Sequence, residues 1–574
     1  MGIGSVARTR MLPAISLLVV LISLGRIVAS YSETGQAFDE PCHVSAAMEF
    51  LDKGTYTLDP IHPPLARIAI GLPLYAAGER YPVLSPSDPA SQNYNIVGNH
   101  ILYDSGHFHR NLMLARMGVL PFFILGAAVV YFWVWRISGN VAAFIALFLY
   151  CTTPTILAFS SIAYTDIVAA STQLAAMFVF SLWLDAPDWP RTLWLGLAFG
   201  SAFLAKLTTV LFIPAAAICM AAVWLLARRT QPSPRISSRI LKLCAALALA
   251  AVVVWGGYRF SVRHLEAATG ITPASMPSFQ HFPGPLRSAA RSLILHDPLL
   301  PAPELLHGVA EAWVLNKTAT QSYLFGQVKA GGWWYFYPVA LAVKNPLPLI
   351  LQFGVSVIVL LRNRTKSAIF LPMAALAGVL LITMHVSYQV GVRHILVAFP
   401  LIAIIAGLGS ASLLERSSLH WVAISVVAAL LLWQAVESGA SQSDFLAYFN
   451  QLAGKDPSKV LVMGCDLDCG QDLFRLAHEL RARQIDKIGL AVWSSADVDR
   501  SGLPLYEVPD PTRQFQGWIA VSSRALRLGD VLHQSFPPDS FAWVEQYRPV
   551  ANIGKTIRLY YIPKDDGPQT GNHH

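Results

Sequence analysis

The sequence predicts a polytopic α-helical membrane protein that ends in a water-facing α/β domain. Three observations carry that prediction. Of 574 residues, 54% are hydrophobic and only 13% charged, where soluble globular chains hold roughly 25% charged residues; mean hydropathy is +0.48. Apolar runs of about 20 residues, each enough to cross a ~30 Å hydrocarbon core as helix, recur along most of the chain. Beyond residue 436 the composition becomes that of ordinary soluble protein. Helix is the expected spanning form, because lipid offers backbone groups no partners.

Eleven spans are expected, at 11–30, 113–135, 141–158, 167–184, 193–208, 210–227, 240–257, 339–361, 367–384, 395–413 and 419–436. The basic residues concentrate in short connections: Arg8 and Arg10, Arg136, Arg191, "ARRTQPSPRISSR" (227–239), "RNRTK" (362–366) and "ERSS" (415–418). With eleven spans all of these fall on one side, as the positive-inside rule requires. The N-terminus is then cytoplasmic, and 31–110, 258–338 and 437–574 lie outside. Membrane orientation therefore accounts for the formal charge of +8, and no nucleic-acid partner is expected. A second reading of the N-terminus is a signal peptide cut after "VAS", which would delete a membrane-embedded neighbour of Asp39.

The domain expectation is a transmembrane module over 1–436, with outer loops 31–110 and 258–338, followed by an α/β domain over 437–574. Loop 31–110 is too long for a connector, and loops of such length fold or function. Val44, Ala47, Met48 and Leu51 form one apolar helical face, which suits a helix lying on the bilayer surface. In the last domain, "SKVLVMG" (458–464), "KIGLAVW" (487–493), "GWIAVSS" (517–523) and "KTIRLYYI" (555–562) read as strands. A helix over 470–484 would bury Leu473, Leu476, Ala477 and Leu480. Among six cysteines, Cys219 and Cys244 read as core. Cys465 and Cys469 stay open between a local disulfide and two free thiols.

The chemistry concentrates at the lip of the membrane. "FDEPCH" (38–43) follows the first span directly, and in a helix starting near Asp39 the imidazole of His43 shares that carboxylate's face. "LDPIHPPLARI" (58–68) adds Asp59, His62 and Arg67. Asp166 falls at the outer end of a span, where an acid is costly and marks function by default; its position equally fits an N-cap of the following helix. For Asp39 and Glu40 the plain alternative is a solvated first turn that complements the helix dipole. Arg67, Lys206, Arg393 and His394 collect on the same outer side, against the positive-inside bias, and so call for an anionic ligand such as a lipid phosphate. Snorkelling is the usual alternative for such cations.

"DEPCHVSAAMEFLDKGTYTLDPIHPPLARI" resembles the first outer loop of the dolichyl-phosphate-mannose-protein mannosyltransferase superfamily, multispanning glycosyltransferases of the GT-C fold that use polyprenyl-phosphate sugars. The resemblance continues in order through "SSIAYTD", "GLAFGSAFLAKLTTV", "YLFGQVKAGGWWYFYPVALAVKNPLPLI", "GVRHILVAFP", "YFNQLAG" and "DLDCGQDLFRLAHEL", and is nearest to bacterial members with this C-terminal domain. It implies Asp39 as the counterpart of the catalytic aspartate, Asp166 of the second-loop acid, His62 of the motif histidine and Arg67 of the basic residue that follows. With the reading of the residues above, Asp39 is the expected base, Glu40, Asp59 and Asp166 are expected to support it, position the acceptor or hold a metal, and His62, Arg67, Lys206, Arg393 and His394 are expected to contact the donor phosphate. A divalent Mg or Mn ion between Asp39 and Asp166 stays open. The chain departs from its relatives in placing Pro60 and Ile61, not an acid, directly before His62, and Cys469 where they have tryptophan.

A sugar on a lipid phosphate already carries its leaving group, so an acceptor hydroxyl needs a base and cations to steady the departing phosphate. Direct displacement inverts the anomeric centre. The expected function is thus protein O-mannosylation-like: transfer of a hexose from a polyprenyl-phosphate donor to a protein, lipid or glycan hydroxyl at the outer face of a bacterial inner membrane. A flippase of lipid-linked substrate is one alternative, but would show ionisable groups near the midplane. A metal-dependent hydrolase using Asp39, Glu40, His43 and His62 is another, and no HExxH spacing supports it. A reporter active only outside the cytoplasm should work when fused after residue 436 and be silent when fused within 227–239; the reverse result would invert the assigned topology.

Overall fold

The computed structural model describes residues 3–85, 89–227, 236–275, 280, 282–318, 321–362, 367–416, 419–513 and 515–563. Parts of the expected basic loops, at 228–235, 363–366 and 417–418, lie outside the described residues, as do the side chains of Arg8 and Arg10. The chain opens with α1 (Ile3–Ser30). Loop 31–110 then folds into α2 (Glu40–Met48), α3 (Pro64–Ala76) and α4 (Tyr94–Tyr103), and α5 (Phe108–Met117) leads back into the bundle. The bundle continues with α6 (Leu120–Cys151), α7 (Pro154–Ser160), α8 (Thr165–Asp185), α9 (Trp189–Ala205), α10 (Thr209–Ala227) and α11 (Ile236–Gly257).

Loop 258–338 holds two small antiparallel pairings, β1 (Val262–His264) with β2 (Leu299–Pro301) and the hairpin of β3 (Ser322–Leu324) with β4 (Gln327–Lys329). It also carries α12 (Leu265–Thr269), α13 (Gly284–His296) and α14 (Pro303–Thr318). The second half of the bundle is α15 (Phe336–Lys344), α16 (Leu347–Arg362), α17 (Phe370–Thr383), α18 (Ala398–Arg416) and α19 (His420–Ala440). Each of the eleven expected spans contains helix. By length and composition, however, seven described helices can cross a membrane, or eight if a bent pair counts as one span.

The difference has local causes. At Gly139 the backbone turns to φ 77° and ψ −169° inside α6, a break that falls between the expected spans 113–135 and 141–158 within the apolar stretch Phe108–Cys151. The expected span 141–158 is broken between α6 and α7, where Pro154 opens the second helix. Helices α9 and α17 have only 17 and 14 residues, short of the roughly 20 that a straight crossing needs. Between α15 and α16 the axis bends by 118°: Asn345 is extended ahead of Pro346, as residues before proline tend to be.

Helices α8 and α18 are largely buried, whereas α1, α11 and α19 expose most of their apolar surface. The outer helices therefore present Leu17, Leu21, Leu241, Trp421 and Leu432 to lipid. Small residues let the inner helices approach: a Cβ on Gly407 of α18 would lie 2.6 Å from Ala146 Cβ of α6. Such contacts replace the hydrophobic drive that lipid does not supply.

The C-terminal domain is a five-stranded mixed sheet, in spatial order β10-β11-β7-β5-β6. Its strands are β5 (Lys487–Ala491), β6 (Leu505–Glu507), β7 (Gly517–Ser522), β10 (Ala551–Ile553) and β11 (Ile557–Ile562), with a two-residue pair β8 (Asp530–Val531) and β9 (Gln534–Ser535) alongside. Helix α20 (Leu473–Ala482) buries Leu473, Leu476, Ala477 and Leu480, the expected face. The strand expected at 458–464 does not form. Leu461, Val462 and Met463 are apolar because they pack into the core of the helix bundle, not because they pair in a sheet.

Helix α2 also differs from expectation. It does not lie on the bilayer with one face out; all nine of its residues are buried, packed against α3 and α4. The contact is close at Gly98, where a Cβ would stand 2.0 Å from the Pro41 carbonyl oxygen. Gly98→Ala should therefore push α4 off the first turn of α2 and destabilise the protein by about 1–3 kcal/mol. Thermal unfolding in detergent reads this, and an unchanged Tm would show that α4 does not pin α2.

Candidate active site

Asp39 caps the start of α2 without using its side chain, since its carboxylate makes no bond to the helix N-terminus. The carboxylate instead meets Arg393, whose Nη1 donates to Oδ2 at 2.5 Å. The side chain stays 28% exposed, so a substrate can reach it. Its backbone is fixed from two directions. The Asp39 N–H donates to the Tyr164 hydroxyl at 2.7 Å, and that hydroxyl lies 3.2 Å from the sulfurs of both Cys465 and Cys469, which form a disulfide. One residue earlier, Phe38 donates its N–H to the Cys469 carbonyl at 2.9 Å and stacks on Trp493 with ring centres 4.0 Å apart.

Arg393 sits in a 3₁₀ turn (Val392–Ile395) ahead of α18. The turn is anchored by the Val392 N–H donating to Asp466 Oδ1 at 2.9 Å. Its guanidinium lies over the Tyr164 ring, 5.5 Å from the centroid, and its buried Nε has no hydrogen-bond partner in the protein. A second pair stands beside the first: Lys206, just past the end of α9, donates from Nζ to Asp166 Oδ1. Both are buried. Asp166 is not the N-cap of α8; Tyr164 holds that position.

Below these pairs opens a cavity of about 380 Å³. His62, Lys206, His385 and His394 are among the polar residues that line it, with Tyr337 and Tyr388, and Leu211, Phe212, Val309, Trp313 and Ile382 form apolar wall. Asp59 reaches the site although it stands three residues before His62. Its backbone adopts φ 51°, which folds the carboxylate back so that His62 Nδ1 lies 2.9 Å from both its oxygens.

Two expected site residues turn elsewhere. Arg67 is 1% exposed, and its Nε, Nη1 and Nη2 all donate to carbonyls, those of His62, Leu58 and Asp59. It holds the 58–62 loop and stacks on Tyr56, 3.9 Å from the ring centre, rather than pointing an N–H at the cavity. Glu40 is wholly buried. It receives Arg116 Nε and Nη2 at 2.7 and 2.8 Å and the backbone N–H groups of Ala37 and Ala163 at 2.7 and 2.9 Å. That is a clamp between the first outer loop and the approach to α8, with no lone pair turned to the site.

Burial pushes the Asp39 carboxyl up, but Arg393 and then His43 outweigh it, and the net position is below the ordinary carboxylate value. Burial, reinforced by His62, lowers His43 to about 4. Burial, with Lys206 and Arg393 nearby, holds His394 well below its usual value. That shift runs against the cationic form expected of His394. Asp39 and Asp166 are each paired with a cation, Arg393 and Lys206.

The sequence reading missed Tyr164, Arg116 and Asp466. Arg116 carried a signal, because it lies inside an expected span, where ionisable residues are functional or clamped. The same holds for Lys344, whose Nζ donates to the Leu446 and Asp466 carbonyls at 2.8 and 2.5 Å. Tyr164 carried none beyond its place two residues before Asp166.

Apolar helices, a bent helix pair and paired charges beside an apolar-walled cavity describe a polytopic membrane protein with its candidate site at one end of the bundle. Residues 108–258 match the family model of dolichyl-phosphate-mannose-protein mannosyltransferase. That is the superfamily whose motifs the sequence resembles in order, and the match covers this part of the chain. None of the curated proteins matches it. Among solved structures, ArnT from Cupriavidus metallidurans in the apo state is similar at 14% identity over 95% of this chain and 98% of its own, with a TM-score of 0.48. ArnT bound to undecaprenyl phosphate is similar at 14% identity over 95% and 97%, with a TM-score of 0.46. The oligosaccharyltransferase AglB from Archaeoglobus fulgidus, in complex with an inhibitory peptide and a dolichol-phosphate, is similar at 13% identity over 88% and 61%, with a TM-score of 0.38.

Removing one partner of a buried, hydrogen-bonded ion pair costs about 3–5 kcal/mol. Glu40→Gln should therefore lower thermal stability sharply while the folded fraction binds donor normally. A stable Glu40→Gln protein with defective turnover would instead return Glu40 to the chemistry.

Proposed function

We propose that the chain transfers a sugar from a polyprenyl-phosphate donor to an acceptor hydroxyl at the outer face of the membrane, with Asp39 as general base and inversion at the anomeric carbon. The single observation that carries this reading is the Asp39–Arg393 pair with its unpartnered Arg393 Nε, set beside the apolar-walled cavity that Lys206 lines. A donor fits in one orientation. Its tail follows the wall of Leu211, Phe212 and Trp313 toward lipid, and its phosphate meets Arg393 and Lys206. The acceptor approaches Asp39 from the water side.

Donor binding then prepares the base. Phosphate competes with Asp39 for the Arg393 guanidinium, and charge-assisted bonds to phosphate are among the stronger ones. Once Arg393 is shared, its lowering effect on Asp39 weakens while burial still raises it, so the carboxylate becomes a better proton acceptor. Asp39 takes the hydroxyl proton as the acceptor oxygen bonds to the anomeric carbon. The bond from that carbon to the phosphate oxygen breaks, and Arg393 and Lys206 steady the departing phosphate. His62 and Arg67 hold the 58–67 loop, and the C-terminal domain holds both Asp39 and Arg393. The span interrupted between α15 and α16 is what a transporter would need. Its buried Lys344, however, is committed to backbone carbonyls rather than facing a path.

General-base catalysis contributes roughly 10²–10⁴-fold. Asp39→Asn should lose about that much turnover and still bind donor. The pH profile gives a second readout, since Asp39 must be ionised to act. With its folded value below the usual carboxylate range, kcat/KM should hold as pH falls and be lost only below that range. Arg393→Gln removes the largest charge that opposes burial, and should move the acid limb of kcat/KM up by about 1–3 pH units. A folded Asp39→Asn enzyme that keeps a substantial share of its rate would transfer the role to another acid.

A further inference from the structure

Cys42, His43 and Asp59 stand together behind Asp39, and the transfer reaction uses neither Cys42 nor His43. A sulfur, an imidazole nitrogen and a carboxylate oxygen from the three lie within 4.8 Å of one another, and all three residues are buried. His43 Nδ1 is buried with no hydrogen-bond partner in the protein, 3.8 Å from Asp59 Oδ2. Buried polar atoms are bonded in the great majority of cases, and one that is not asks for an unseen ligand. The plain alternative, a thiol hydrogen-bonded to Asp59, satisfies Cys42 but leaves that nitrogen unpaired.

Asp59 is also braced as a metal carboxylate is. His62 Nδ1 holds its oxygens at 2.9 Å, Arg67 ties down its carbonyl, and its own backbone is in the left-handed region at φ 51°. Outer partners of this kind orient metal ligands, and a non-glycine residue kept at positive φ is a feature that functional sites retain.

We propose that Cys42 Sγ, His43 Nδ1 and an Asp59 carboxylate oxygen bind a zinc ion, leaving a fourth position open. A thiolate, an imidazole and a carboxylate together select zinc over magnesium or calcium, which take oxygen ligands. With bonds of about 2.0–2.3 Å, tetrahedral zinc sets its ligand atoms roughly 3.3–3.8 Å apart, so small side-chain adjustments close the site. On binding, the Cys42 thiol gives its proton to solvent as the sulfur–zinc bond forms. Thiolate and carboxylate then balance the ion's charge. The ion would tie the first turn of α2 to the 59–67 loop, and so fix Asp39 relative to His62.

The test is metal content of the full-length protein, purified without a histidine tag or chelator and dialysed against one equivalent of zinc. The wild type should hold about one zinc per chain. Cys42→Ala and His43→Ala should each lose more than about tenfold in zinc affinity, while Cys219→Ala keeps the ion. A wild type that retains almost no zinc, or a Cys42→Ala protein that retains as much as wild type, overturns the proposal. If the variants do not fold, cobalt(II) added to the stripped wild type decides. A thiolate-to-cobalt charge-transfer band that zinc abolishes supports the site; a weak spectrum without that band refutes it. None of these readings depends on the sugar-transfer reaction, so the two proposals fail separately.

Discussion

The ion pair between Asp39 and Arg393 joins positions 354 residues apart, and the outer end of the molecule is organised around it. Loop 31–110 delivers the carboxylate, and the turn before α18 delivers the guanidinium. Both backbones are pinned by one short stretch of the C-terminal domain. Cys469 accepts the Phe38 N–H, Asp466 accepts the Val392 N–H, and the Cys465–Cys469 disulfide rests against Tyr164. In the proposed reaction the domain acts by fixing distance and contributes none of the reacting groups.

Charge balance explains why the site can exist so close to lipid. Two carboxylates and two cations pair off, Asp39 with Arg393 and Asp166 with Lys206. An isolated charge at this depth would be strongly unfavourable. An arriving phosphate can share both cations without a large rearrangement. In the proposed reaction the same arrangement holds Asp39 in check until donor is present, because Arg393 cannot fully serve both carboxylate and phosphate.

Much of this was legible in the sequence. Hydropathy located every helix of the bundle, and one apolar face of α20 gave the helix of the last domain. The motifs named Asp39, Asp59, His62, Asp166, Lys206 and Arg393, and the structure brings these to one end of the bundle. What could not be read was the partners. Helix geometry turns Glu40 about 100° from Asp39, but nothing in the sequence matched it to Arg116. Arg67 looked like a phosphate ligand because a cation on the outer side has few other uses, and its carbonyl partners depend on a loop conformation that Asp59 sets with a positive φ. Residues 461–463 looked like a strand because burial against helices and burial in a sheet leave the same apolar run. The bends at Gly139 and Pro346 were visible as residues but not as angles.

The most direct test is a structure of the wild-type protein in a lipid nanodisc with a polyprenyl phosphate bound. The account predicts phosphate oxygens within about 2.7–3.2 Å of Arg393 and Lys206 nitrogens, the Arg393 guanidinium drawn away from Asp39, and the prenyl chain along Leu211 and Phe212. A phosphate bound elsewhere, with the Asp39–Arg393 pair unchanged, would contradict it.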